Sequence, residues 1–170
     1  MKSEKLKVKN SKLRNESGFG LVEIIVVVVI VTVSFLSIMA FFLFSRASTF
    51  KAQRNAEATS LTEQAIEAVR KLRDESWTSN IATLSNSSTY FLKLQNNNRW
   101  VLQTTNPNPS SFYTTSVVLS AVNRDASSNI ADVGTNDPNT RKLVATTSWN
   151  NSGSNSSVVL TTYITNFNNN

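Results

Sequence analysis

Apolar and polar positions divide the chain into four stretches. From Phe19 to Phe44 it reads FGLVEIIVVVVIVTVSFLSIMAFFLF, and the 21 residues from Ile24 to Phe44 carry no charge. A helix that crosses a bilayer needs about 20 such residues. Val and Ile are mediocre helix formers in water, but in lipid the alternative to a helix is a set of unpaired backbone groups, so helix wins. A secretory signal core is shorter, about 7–15 residues, and ends at a small-residue cleavage site that is missing here. From Ser45 to Ser76 the pattern changes to Leu61, Ala65, Ala68, Val69 and Leu72, a helical stripe with charges on the other face, and Glu67 stands four residues before Lys71 as a favourable pair. No Gly or Pro occurs between Leu21 and Ser76, so the spacing predicts one uninterrupted helix of about 80 Å.

From Trp77 to Asn170 short runs of alternating apolar and β-branched residues are separated by turn clusters. Tyr90–Leu94 and Arg99–Thr104 flank Gln95-Asn96-Asn97-Asn98 and predict a hairpin. Phe112–Val122 predicts a longer strand. Lys142–Trp149 and Ser157–Phe167 flank the Asn150–Ser156 loop and predict a second hairpin, with Leu143, Ala145, Thr147 and Trp149 on one face and Val158, Leu160, Thr162 and Ile164 on another. Four or five antiparallel strands with one apolar face need a cover. The Leu61–Leu72 stripe is the candidate. The expected class is therefore α+β: a long N-terminal helix, membrane-spanning in its first half and amphipathic in its second, packed on a small antiparallel sheet. The expected organisation is a basic leader over 1–18, an apolar helix over 19–44, its amphipathic continuation over 45–76 and a β domain over 77–170.

Composition narrows the chemistry. With no His and no Cys among 170 residues, there is no imidazole base, thiol nucleophile, disulfide or thiolate metal site. No catalytic residue, no cofactor and no metal are expected, and the chain reads as a non-enzyme. The net charge of +6 is uneven: Lys2, Lys5, Lys7, Lys9, Lys12 and Arg14 against Glu4 and Glu16 place +4 of it in the first 18 residues. A nucleic-acid binder concentrates base on its folded surface. Base ahead of an apolar run instead follows the positive-inside rule, which places the leader in the cytoplasm and the C-terminal part outside the cytoplasmic membrane.

The junction reads Glu16-Ser17-Gly18-Phe19-Gly20-Leu21-Val22-Glu23. A carboxylate at the depth of Glu23 costs about 2.5–3.5 kcal/mol on insertion scales and calls for a partner. A free amine, made by cutting after Gly18, carries the opposite charge. If helices pack side by side with a stagger, Glu23 meets the amine of a neighbour, and the cost of burial becomes a register signal. Gly18 has no side chain to obstruct a protease.

Gly18-Phe19-Gly20-Leu21-Val22-Glu23, followed by an uninterrupted apolar helix, resembles the cleavage and methylation motif of type IV pilins and of the pseudopilins of type II secretion. The resemblance covers about residues 12–50. It implies cleavage between Gly18 and Phe19 and N-methylation of Phe19 by a membrane prepilin peptidase, and it gives Glu23 a role in assembly. The implied partners are that peptidase, other pilin subunits in a filament, an assembly platform and the lipids of the cytoplasmic membrane. The last strands, Arg141–Trp149 and Val158–Phe167, are similar to the final hairpin of minor pilins. Gly20 departs from the Thr or Ser of many members. The disulfide loop and mid-helix proline of many major pilins are missing. These departures favour a minor pilin; a pseudopilin is the alternative.

A rival from another class is a single-pass anchored adhesin that does not polymerise. A DNA-uptake role needs Lys93, Arg99, Arg124, Arg141 and Lys142 to converge. The stretch from Asn123 through Asp132 to Asp137 offers oxygen ligands of the kind calcium takes, without EF-hand spacing; polar turn chemistry is the simpler reading. Arg46, Lys51 and Arg54 mark the outer membrane boundary. Trp77, Trp100 and Trp149 read as packing anchors rather than a ligand-binding shelf.

Overall fold

A computed structural model describes residues 20–151 and 153–167. Helix α1 (Leu21–Glu75) is followed by a single π-helical turn, Thr78–Ala82, and by strands β1 (Thr89–Leu94), β2 (Trp100–Gln103), β3 (Tyr113–Arg124), β4 (Ile130–Ala131), β5 (Thr135–Asn151) and β6 (Ser154–Thr165). The chain forms two compact units, one ending at Ser48 and one from Thr49 to Asn170. The class is α+β, as the pattern predicts. Every strand pairing is antiparallel in the order β2-β1-β3-β5-β6, and β4 adds a two-residue sixth strand on β3.

α1 runs through the Ser45 region without a break because nothing in it opposes a helix. At its end the Leu72 carbonyl accepts twice, from the Ser76 amide (3.2 Å) and from Asn80 Nδ2 (2.9 Å). In the second unit the helix buries Ala58, Thr62, Ala65, Ile66, Ala68, Val69 and Leu72. Ala65, Ile66, Val69 and Leu72 share one core with Val117, Leu119, Leu143, Ala145 and Ile164 of the sheet. The predicted stripe is thus rotated slightly. Leu61 is only half-buried and Thr62 is fully buried, because Ala58, Thr62 and Ala65 form a narrow surface that lets the helix lie close to the strands. Trp77 and Trp149 are buried and Trp100 packs against the core, so all three are anchors. Glu67 pairs with Arg70 (2.6 Å), not with Lys71.

Both predicted hairpins form. β1 and β2 pair with Leu94 opposite Trp100, and Asn98 adopts the left-handed conformation that Asn tolerates (φ 61°). The second hairpin is tighter and its first strand far longer than predicted. Asn151 pairs with Ser154, and β5 begins at Thr135. Between Ala121 and Val122 the β3–β5 register shifts, with Ala121 opposite Arg141 and Val122 opposite Asp137. Pro138, Asn139 and Thr140 form the bulge, where the missing proline N–H breaks no ladder bond.

Candidate functional site

The Gly20 carbonyl accepts from the amides of Glu23 (2.9 Å) and Ile24 (3.3 Å), so Gly20 caps α1. Gly is an accepted residue there, and among the described residues a Cβ at Gly20 would meet nothing within 4 Å. The departure of Gly20 from Thr or Ser therefore costs no packing. Glu23 lies three residues inside the cap, where the positive end of the helix dipole favours an anion. Its side chain is exposed. Gly18 and Phe19 lie outside the described residues.

From Leu21 to Phe44 every residue of the helix is exposed. Three hydroxyls in this run turn back on the helix: Thr32 donates to the Val28 carbonyl (2.7 Å), Ser34 to Ile30 (2.7 Å) and Ser37 to Val33 (2.9 Å). Each donor is satisfied within the segment, as an apolar surrounding requires. Among the described residues α1 is the one helix long and apolar enough to cross a membrane. Arg46 ends the uncharged run and lies over the Phe42 ring (5.8 Å).

The other sequence candidates separate. Of the five basic residues of the DNA reading, Arg99 pairs with Glu75 (2.9 Å), Arg124 with Asp137 (2.6 Å) and Arg141 with the Asn86 side chain. Lys93 and Lys142 stand on β1 and β5, with β3 between them. The five are therefore not one free patch. In the 123–137 stretch, Asp125 Oδ1 accepts from the amides of Ser127 (2.9 Å) and Asn129 (2.8 Å) and closes its own turn. Those bonds, with the Asn129 amide foremost, hold its carboxyl below the usual value of 3.8. Asp137 Oδ2 accepts from Arg124 Nε and Thr140 Oγ1. Thr140 and then Arg124 lower its pKa from the usual 3.8. These two carboxylates serve as turn and bulge acceptors; no group of three or more Asp or Glu is placed to hold an ion among the described residues.

Sequence reasoning missed two polar constellations. Thr62 Oγ1 lies 2.8 Å from Thr147 Oγ1, which lies 3.0 Å from Thr115 Oγ1, a hydroxyl chain through the helix–sheet interface. Near it, the Tyr113 hydroxyl donates to Glu57 Oε2 (2.8 Å), and Arg54 reaches the Asn151 side chain. No local motif signals either, because each joins residues about 30 to 100 positions apart. Comparison with family models, with curated proteins and with solved structures found no match to this chain.

Proposed function

We propose that the chain is a filament subunit of the type IV pilin kind, made as a precursor, cleaved after Gly18 and assembled through the first half of α1. The reading is supported by one observation: a continuous helix whose first 24 residues, Leu21 to Phe44, are all exposed among the described residues and hold a single charge, Glu23, in the first turn. Such a surface is stable in lipid or against like helices. In a bundle, close packing replaces lipid contact. Pairing of Glu23 with the Phe19 amine of a neighbour then sets how far each subunit slides against the next. The leader faces the cytoplasm and the second unit lies outside the membrane. The absence of Cys and of a mid-helix proline favours a minor subunit.

Intact-mass spectrometry of the membrane-extracted protein tests the processing step, and the expected chain begins at N-methyl-Phe19. A chain that keeps Met1 makes the protein a single-pass anchored binding module instead. Assembly is tested separately. Glu23→Ala is expected to be cleaved normally and to be lost from sheared filaments, whereas Gly18→Val is expected to stay uncleaved in the membrane. Normal incorporation of both variants overturns the mechanism.

A further inference from the structure

We propose that the outer face of the sheet, where β3, β5 and β6 approach the β5–β6 turn, binds a neutral oligosaccharide. The inference does not depend on the filament reading, since it concerns the second unit alone. A groove of about 470 Å³ lies there, within the size range of small-molecule sites. Its walls include Phe112, Thr114, Thr146, Ser148, Asn155 and Ser157, and among the described residues no Lys, Arg, Asp or Glu lines it.

The sheet register builds the floor. Ser148 of β5 stands opposite Thr114 of β3 on one side and Ser157 of β6 on the other. Three hydroxyls therefore form a row across strands spaced ~4.8 Å apart, comparable with the width of a pyranose ring. Thr146 stands in the next row, on the same outward face. The side-chain hydroxyls of Thr114, Thr146 and Ser157 bond to no protein group among the described residues, and so remain open to a ligand. Ser148 Oγ makes only a long contact, 3.5 Å, to the Thr114 carbonyl.

At the edge of this floor Phe112 is 52% exposed. Its ring is held from two sides. Tyr113 meets it at right angles (4.8 Å, 88°) and itself packs against Trp149 (5.8 Å, 65°). The Arg54 guanidinium sits 5.5 Å from the Phe112 centroid. A fixed aromatic loses little freedom when it is covered.

The chemistry selects the ligand class. The lining itself supplies no cation, and Arg54, beside the Phe112 ring, is engaged by the Asn151 side chain, so phosphate or carboxylate is held poorly; a lining with no anion does the same for an amine. A purely apolar ligand would strip water from the open hydroxyls without replacing their hydrogen bonds. A sugar has both complements: hydroxyls that donate and accept toward Ser, Thr and Asn, and a face of C–H bonds for the ring of Phe112.

The test uses the full chain in lipid nanodiscs free of glycoside detergent. Maltotriose, cellotriose and triacetylchitotriose are titrated by calorimetry and by saturation-transfer NMR. The expected result is saturable, millimolar binding of at least one of them, with saturation reaching the sugar C–H protons. Phe112→Ala is expected to weaken it about tenfold, as loss of an aromatic anchor does. Thr146→Val, a methyl-for-hydroxyl exchange on the outward face, is expected to weaken it several-fold and carries the test if Phe112→Ala disturbs the near-ultraviolet signal of the fold. Absence of saturable binding by all three sugars overturns the proposal, as does binding that both folded variants retain unchanged.

Discussion

Thr62 and Thr147 are both fully buried, and their hydroxyl contact joins the helix to the sheet. Thr62 Oγ1 lies 2.7 Å from the Ala58 carbonyl and 2.8 Å from Thr147 Oγ1. A hydroxyl has one proton and the carbonyl can only accept. Thr62 therefore donates to Ala58, Thr147 donates to Thr62, and Thr115, half-buried, donates to Thr147. Thr147→Val keeps the shape and removes two of these three bonds. At about 1 kcal/mol for each neutral bond, and with the extra methyl burial as a partial offset, the expected loss is about 1–2 kcal/mol. Thr62→Val removes the bond to Ala58, whose carbonyl keeps its helical partner, and the same bond to Thr147. The shared bond is lost in either single variant, so the double variant should fall short of the sum by about 1 kcal/mol. For a unit the size of Thr49–Asn170, 1 kcal/mol moves the melting temperature by roughly 3–6 °C. Near-ultraviolet circular dichroism reports the environments of the buried Trp77 and Trp149 and follows the melt in detergent micelles. Strict additivity of the two substitutions, or single variants that melt within about 1 °C of the parent, would refute the chain of donors.

Two further perturbations test other parts of the fold. A Cβ on Gly134 would lie 2.1 Å from the Arg124 carbonyl oxygen, and backbone cannot swing aside, so Gly134→Ala should cost about 1–3 kcal/mol; an unchanged melting temperature would refute the steric argument. Tyr113 is raised above the usual 10.0 by burial first and then by its bond to Glu57, while Glu57 is lowered from 4.5 chiefly by that same bond. Glu57→Gln should bring the tyrosinate absorbance transition down toward, but not to, the ordinary value; an unmoved transition would mean the contact does not form.

The sequence makes some of this architecture legible and hides the rest for physical reasons. Leu143, Ala145, Thr147 and Trp149 alternate, and every one is buried, because a strand with one covered face must repeat with period two. The lone Glu23 is visible because it is the one charge in the run from Leu21 to Phe44, and a charge is costly where the surroundings are apolar. Thr62 is hidden because a polar residue at a helix–sheet contact becomes core only when a second hydroxyl faces it from 85 positions away. The row Thr114–Ser148–Ser157 is equally invisible, since it exists only in the register of three strands. The start of β5 is hidden for another reason: Thr135-Asn136-Asp137-Pro138 has the composition of a turn, and strand pairing wins there because Asp137 holds the bulge together. Its carboxylate accepts from Arg124 Nε (2.6 Å), Thr140 Oγ1 (2.7 Å) and the Asn139 amide (2.9 Å). These bonds lower its pKa from 3.8, Thr140 contributing most. A lowered carboxyl pKa adds stability that is present above the unfolded value and is lost as pH falls through the folded one. The parent should therefore lose melting temperature steadily below about pH 4. Asp137→Asn should lose about 1–2 kcal/mol at neutral pH, a figure kept low because the Arg124 side chain is 36% exposed and water screens it. It should also show a shallower acid slope than the parent, because the group that titrates is gone. Parallel acid profiles would place the acid sensitivity elsewhere and remove Asp137 as the clamp of the bulge.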